Sequence, residues 1–588
     1  MKYSNIPAAQ TIVQLCKQKN IQHIIISPGS RNAPLTIGFS EDTFFKTYSI
    51  VDERCAAFFA MGIAQQLRMP TAVVCTSGSA LLNYYPAISE AFYSDIPLLV
   101  ISADRPDHAI DIGDGQTIRQ KNVFENHILY SANLKLDIRK EFVKITEDGK
   151  NTPSILKELS VDNLQKGVQH FNEFEINKAI DLASQKKGPV HINVPFEEPL
   201  YQMVDKPLVE IGVRSGKAVS PELNSEDLRP YLDIWNSSKR KMILVGVNFP
   251  EQIDQEVLDI LAEDESVVVF TETTSNLYHE KFFPGIDKII APIEKTSGSD
   301  ELFSKLQPDV LITFGGLIVS KKIKAFLRKY QPKHHWHIDQ KKAYDTFFCL
   351  NKHFQVSPND LLKLFLPQAI QVTGDYQKYW LDIQNKRREK HRAYLNQIPF
   401  TDFKVFDHIF NSVPDNYQLQ LSNSSTIRYA QLYELNPTLK VFCNRGTSGI
   451  DGSTSTAIGA ALPEAKSTLL ITGDLSFFYD SNALWNNYIK SSFRIIVINN
   501  SGGGIFRILP GHKNTDNFDT YFETKHTLTA DHLCNMFGFE YLKAEDEDEA
   551  KKGLKRFFEE SKKPKLLEIF TPRQLNDEVL LGYFEFLK

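Results

Sequence analysis

At 588 residues, 42% hydrophobic and 24% charged, the chain has the composition of an ordinary globular protein and is too long for one core, so about two to four domains are expected. A formal net charge of -5 removes any electrostatic reason to expect nucleic acid as a partner. No uninterrupted apolar run reaches the roughly 18 residues of a membrane span, and the opening residues Met1 to Asn5 lack the basic stretch and apolar core of a secretory signal.

The first third alternates strand-like and helix-like segments. His23 to Ser27 is a β-branched run ending in the turn Pro28-Gly29-Ser30, and Ala56 to Leu67 has a helical apolar pattern. Thr71 to Cys75 reads as a strand ending at Thr76-Ser77-Gly78, and Leu98 to Ser102 as another, ending at Ala103-Asp104-Arg105-Pro106. Pro189 to Val194 closes the series. Residues 135–175 are more polar and read as an irregular insertion. A polar stretch from Val213 to Asp227 precedes a second series of runs, at Lys241 to Val247, Ser266 to Phe270, Val310 to Gly315 and His335 to Ile338. The charged segment Tyr376 to Arg392 reads as an exposed helix or linker. This alternation implies an α/β protein with three doubly wound parallel-sheet domains, at 1–200, 201–368 and 369–588.

The last third opens with the run Leu419 to Ser422 and carries the most informative pair of segments. Thr468 to Thr472 ends in Gly473-Asp474-Leu475, and Arg494 to Ile498 ends in Asn499-Asn500. The segment between them, Tyr479 to Ile489, has the length and apolar pattern of a helical crossover. A β-α-β unit of this kind delivers a carboxylate and a carboxamide to the edge of a parallel sheet where ligands bind. One Asp, one Asn and a backbone carbonyl suit a hard divalent cation that also holds phosphate oxygens. Spacing and order resemble the metal-diphosphate motif of thiamine diphosphate enzymes.

Further stretches narrow the resemblance: Ser27 to Leu35 (SPGSRNAPL), Asp52 to Arg54 (DER), Thr76 to Gly78 with Asn83 to Pro86 (NYYP), Ser102 to Pro106 (SADRP), Asn444 to Gly452 (NRGTSGIDG), Gly473 to Leu475 and Asn499 to Gly503 (NNSGG). The chain resembles the 2-succinyl-5-enolpyruvyl-6-hydroxy-3-cyclohexene-1-carboxylate synthase family of menaquinone biosynthesis. Leu475, where the wider superfamily has Gly, agrees with that family. The middle third matches more weakly.

The resemblance implies a transferase that decarboxylates 2-oxoglutarate on thiamine diphosphate and adds the resulting carbanion to isochorismate by conjugate addition. It implies an N-terminal aminopyrimidine-binding domain, a C-terminal diphosphate-binding domain, and an assembly of at least two copies, as a homodimer or homotetramer. Glu53 is implied as the catalytic carboxylate facing the aminopyrimidine N1′. Read alone, an acid there serves only the helix dipole. Asp474, Asn500 and Gly502 are implied as ligands of Mg2+ or Mn2+. Ser77, Asn83, Asn423, Leu475, Ser476 and Gly503 are implied in holding the cofactor, with Ile450 as the apolar wedge that bends it.

Both substrates are dicarboxylic acids, and guanidinium forks suit carboxylates. Arg428 and Arg445, with Ser424, are implied at the 2-oxoglutarate end. Ser30, Arg31, Arg105 and Gln116 are implied at isochorismate. Lys321 and Lys322 align with a family Lys-Arg pair; Lys322 keeps the charge without the planar fork. Ile505 and Phe506 are implied on the substrate side. No histidine stands out as an acid-base group. The six cysteines form no Cys-x-x-Cys pair and read as reduced thiols of a cytoplasmic protein.

Two other readings stay open. One is a thiamine diphosphate decarboxylase or acetohydroxyacid-type synthase acting on a smaller 2-oxo acid, which needs fewer arginines. The other is a cofactor-binding paralogue without catalysis, against which Glu53, Asp474 and Asn500 argue. A nicotinamide-dependent dehydrogenase is disfavoured, because no Gly-x-Gly-x-x-Gly follows a strand and opens a helix.

Overall fold

The computed structural model describes residues 2–138, 161–212, 224–463, 466–508, 513 and 515–588. They group into two compact units. One comprises Met1–Ala218, Thr454–Ala465 and Asp480–Lys490, and the other Val219–Ser453, Lys466–Tyr479 and Ser491–Lys588.

The first unit is built on a six-stranded sheet in the order Lys46–Ser49, His23–Ile26, Thr71–Cys75, Leu98–Asp104, Val190–Pro195, Ser131–Asn133, all parallel. Its central strands are buried along their whole length, as continuous β-branched runs covered on both faces should be. On one face Ile24, Ile26, Val74 and Ile101 pack with Ile12 and Leu15 of the helix Pro7–Gln18. The helix Glu53–Leu67 packs so closely on Thr456 and Gly459 that a Cβ at Gly62 would stand 2.1 Å from the Thr456 carbonyl oxygen, so this crossing requires glycine.

From His23–Ile26 the chain moves out to Lys46–Ser49 and returns on the other side at Thr71–Cys75. The turns Ser27–Arg31 and Thr76–Gly78 therefore flank the point where strand order reverses, the crevice where open α/β sheets bind ligands.

The expected irregular stretch at 135–175 is corrected from residue 161 onward, where the helix Val161–Lys186 runs; 139–160 lie outside the described residues. The helix buries Asn172, Ile176, Ala179, Ile180 and Ala183, a stripe that starts only after a polar first half. Residues 213–223 of the expected polar stretch also lie outside the described residues.

The second unit holds two six-stranded parallel sheets. One runs Phe283–Pro284, Val267–Thr271, Lys241–Val245, Val310–Phe314, His334–Ile338, Leu350–Phe354. The other runs Lys440–Cys443, Gln418–Leu421, Thr468–Gly473, Arg494–Asn499, Lys565–Phe570, Glu540–Ala544. Three parallel sheets in an α/β chain are the expected fold class.

The segment read as an exposed helix or linker is the helix Tyr376–Gln397, which buries Tyr376, Trp380, Gln384 and Tyr394. The first three recur every four residues on one face, and the charged residues of the other face mask that stripe in a composition reading.

The expected crossover helix from Tyr479 to Ile489 is corrected too. A short helix, Asp474–Tyr479, is followed by a single 3₁₀ turn, Ser481–Leu484. The reason lies in polar side chains that bond away from any helix axis. Buried Asp480 accepts from Ser455 N at 2.7 Å and Ser455 Oγ at 2.8 Å, and Asn482 donates to Asp52 at 2.8 Å. Among the described residues no helix is long and apolar enough to cross a membrane, and the six cysteines are free thiols.

Candidate active site

In the first unit Glu53 opens the helix Glu53–Leu67. The capping role belongs to its neighbour: Asp52 accepts the Cys55 N–H at 3.1 Å. The half-buried Glu53 is thereby released from helix-end duty, and Asn83 Nδ2 donates to its Oε2 at 3.4 Å. Ser77 is buried, and its hydroxyl has no hydrogen-bond partner among the described residues. A buried hydroxyl without a partner is costly, which marks the Thr76–Gly78 turn as a place where an outside polar group completes the bonding.

The four residues expected at isochorismate gather around the same turn. Arg31 N donates to Thr76 Oγ1 at 3.3 Å. A Cβ at Gly78, whose φ is +90°, would lie 3.2 Å from the Gln116 backbone, and Arg105 Nη2 donates to Gly115 O at 2.9 Å. Ser30 and Gln116 are exposed. Arg31 is buried, bonded to Phe196 O at 3.1 Å and Glu198 at 3.2 Å; burial and then the Arg105 charge push its pKa down. The two guanidiniums repel one another, Glu198 and Glu197 offset the Arg31 charge, and Arg105 Nε lacks an acceptor among the described residues.

In the second unit Asp474 and Asn500 stand at the ends of neighbouring strands. Asp474 Oδ2 accepts Gly502 N at 2.9 Å, and Oδ1 accepts Leu475 N at 2.7 Å. Asn500 donates its Nδ2 to Asp402 at 3.0 Å, so the amide NH2 is committed and Oδ1 is the atom left for a cation. Gly502 sits at φ +147°, and a Cβ there would meet Glu523 O at 2.6 Å. Gly503 N donates to the same carbonyl at 2.6 Å. A carboxylate, an amide oxygen and main-chain carbonyls are the hard oxygen donors that Mg2+ or Mn2+ takes.

Asn423 is an internal clasp: Nδ2 donates to Asn444 O and Gly449 O, both at 2.7 Å, and Oδ1 accepts Arg445 Nη1 at 2.7 Å. Ser476 Oγ donates to the carbonyl of half-buried Ile450 at 3.0 Å. Ser424, Ser448 and Ser501 all hold positive φ, near 60–70°. Such left-handed backbone in non-glycine residues costs about 1–3 kcal/mol each and clusters at functional loops.

Arg428 and Arg445 come together here. Burial and then the Arg445 charge push the Arg428 pKa down, while half-buried Asp287 opposes them. Arg428 donates to Ser424 O at 2.6 Å, and Arg445 Nε is buried without a partner among the described residues. Lys321 is exposed; Lys322 pairs with Glu294 and lies within charge range of Asp287. Ile505 is half-buried, and Phe506, 37% exposed, faces Phe522 with ring centroids 6.0 Å apart.

Sequence reasoning missed several neighbours of these groups. His526 Nε2 lies 3.2 Å from Asp474 Oδ2, and its Nδ1 accepts Leu528 N at 3.1 Å. Asp402 and Glu272 were also unforeseen. Each is an isolated acid in the sequence with no motif around it, and only its burial marks it.

Three family models match the chain: the N-terminal TPP binding domain of thiamine pyrophosphate enzymes at residues 6–130, their middle domain at 226–421, and their C-terminal TPP binding domain at 423–569. Proteins named 2-succinyl-5-enolpyruvyl-6-hydroxy-3-cyclohexene-1-carboxylate synthase match end to end. The one from Christiangramia forsetii is 57% identical and that from Flavobacterium psychrophilum 54%, with the whole of both chains covered. That from Porphyromonas gingivalis is 35% identical over all of this chain and 98% of its own. The chain belongs to this synthase family. Thiamine diphosphate is its cofactor, and the residues fit it: the partnerless Ser77 hydroxyl, the Asp474 carboxylate and the Asn500 Oδ1 suit a cofactor bound through a divalent cation.

Proposed function

We propose that the chain decarboxylates 2-oxoglutarate and joins the succinyl carbanion to the ring alkene of isochorismate, giving 2-succinyl-5-enolpyruvyl-6-hydroxy-3-cyclohexene-1-carboxylate and carbon dioxide in menaquinone biosynthesis. The observation that carries this reading is the occurrence of the Asp474–Asn500 oxygen array and the Arg428–Arg445 pair in one unit of a chain that aligns over the whole of a synthase-family relative.

Bound thiamine diphosphate supplies the nucleophilic carbon and the electron sink for loss of carbon dioxide. The protein positions and polarises. Glu53 holds a proton at the aminopyrimidine N1′, and Ser77 and Asn83 bond the same end. Asp474, Asn500 Oδ1 and the Gly502 carbonyl hold Mg2+ or Mn2+, with Leu475, Ser476 and Gly503 along the diphosphate. Ile450 would serve as the apolar wedge against the cofactor, and Asn423 holds the Asn444–Gly449 loop that carries it.

Arg428 and Arg445, with Ser424, bind the carboxylates of 2-oxoglutarate. Ser30, Arg31, Arg105 and Gln116 bind isochorismate, with Lys321 and Lys322 as further cations and Ile505 and Phe506 excluding water. The domains fall at 1–200, 201–368 and 369–588. The family resemblance implies a site shared between the first domain of one copy and the third of another, so the proposed working form is a homodimer or homotetramer in the cytoplasm.

The test is a coupled assay with isochorismate, 2-oxoglutarate, thiamine diphosphate and Mg2+, followed by product mass. Release of carbon dioxide from pyruvate in preference to 2-oxoglutarate would overturn the substrate assignment.

A further inference from the structure

Asp402 is the first residue of the helix Asp402–Ser412 and is buried. Its Oδ2 accepts Asn500 Nδ2 at 3.0 Å, its Oδ1 accepts Thr571 Oγ1 at 2.5 Å, and its N–H donates to Asn576 Oδ1 at 2.9 Å. Thr571 is tied by its own N–H to Asn499 O at 3.0 Å. The carboxylate is thus locked among the helix it opens, the two strand-end loops and the start of the helix Asn576–Phe586.

A carboxamide can turn either end outward, and only its oxygen ligates a cation. An ionised carboxylate accepts and never donates, so it bonds the NH2 end of Asn500 and rejects the oxygen end.

We propose that Asp402 is a positioning residue that selects the orientation in which Asn500 presents Oδ1, and so sets the affinity of the site for its divalent cation. The inference rests on the reading of Asp474, Asn500 and Gly502 as the metal centre. Outer partners that orient a metal ligand typically change affinity about 10- to 100-fold, which is the expected size of the Asp402 contribution.

The experiment measures free Mn2+ by electron paramagnetic resonance during titration of the full-length protein with saturating thiamine diphosphate. Asp402→Ala should weaken Mn2+ binding by about 10- to 100-fold. A shape-conserving swap guards against a variant that simply fails to fold. Asn500→Asp puts two acceptor-only groups face to face and should weaken binding, although it adds a carboxylate ligand. Combining it with Asp402→Asn restores a donor–acceptor pair with the roles exchanged and should recover most of the lost affinity. A purely structural Asp402 would instead lower the folded fraction of Asp402→Ala, read by thermal melting, while leaving the Mn2+ affinity of the folded protein unchanged.

Asn500→Asp binding as tightly as wild type, or the swapped pair binding no better than Asn500→Asp alone, would overturn the proposal. Asn500→Ala separates the two ideas: undiminished Mn2+ binding in that variant would sink the metal-centre reading itself.

Discussion

The carboxylate of Asp474 accepts the backbone N–H of Gly502 across 2.9 Å. That bond joins the ends of two adjacent strands, Thr468–Gly473 and Arg494–Asn499, and sets the spacing of the oxygen donors between them. Asp474→Asn should lower Mg2+-dependent affinity for thiamine diphosphate by more than about tenfold, because losing an anionic ligand costs more than losing an outer partner. Calorimetry gives the comparison, and unchanged affinity would remove Asp474 from the metal site.

Glu53 has no capping duty, since Asp52 performs it. Glu53→Gln should therefore leave the helix and cofactor binding intact. Exchange of the cofactor C2 hydrogen for deuterium, followed by magnetic resonance after acid quench, should slow by about 10²- to 10⁴-fold, the usual contribution of a positioned proton-transfer group. Exchange at the wild-type rate would exclude the assigned role.

Arg428 lies within charge range of Arg445, and under the proposed function a bound dianion would relieve the mutual repulsion of the two guanidiniums. Arg428→Ala should raise the KM for 2-oxoglutarate by about 10- to 100-fold, the equivalent of a lost hydrogen bond to a charged group. The KM for isochorismate should move much less. Equal shifts in both would defeat the division of labour between the two arginine groups.

Glu272 ties the middle sheet to the start of the helix Lys321–Lys329. Its carboxylate accepts Val319 N and Ser320 N at 2.7–2.9 Å, and Ser320 caps the helix Lys321–Lys329 that carries Lys321 and Lys322. Burial pushes its pKa up from 4.5 to about 7, and Asp287 adds to the shift; the Val319 and Ser320 amides and Arg445 oppose it. Lys324 faces the same carboxylate. Between pH 4.5 and 7 the folded protein keeps a proton that the unfolded chain has lost, so this group makes stability fall as pH rises through that window. Denaturant unfolding across that range should give a shallower decline for Glu272→Gln than for wild type. Identical profiles would show that Glu272 ionises normally.

Much of the fold was legible in short β-branched runs. Thr71–Cys75 was expected over the same residues it occupies, and Lys241–Val245, Val310–Phe314 and Arg494–Asn499 lie within a residue or two of their expected spans. Strands buried on both faces leave continuous apolar stretches that need no partner to be noticed. The edge strand Lys46–Ser49 escaped because its exposed and half-buried residues, Lys-Thr-Tyr-Ser, carry no such stretch. The supposed crossover helix after Asp474 failed for a different reason: an apolar pattern was present, but Asp480 and Asn482 had bonding partners far away in the chain.

The sequence by itself determined which residues end the strands, and with them the family: Asp474, Asn500, Arg31 and Arg105 stand in motifs a few residues long, and local spacing preserves them. Tertiary structure decided how those residues are held. Asn500 meets Asp402 from 98 positions away, and Glu272 reaches Val319 from 47. Pairings of that kind leave no periodic trace in a linear chain. They arise because a buried polar group must find a partner wherever the packed strands and helices bring one within reach.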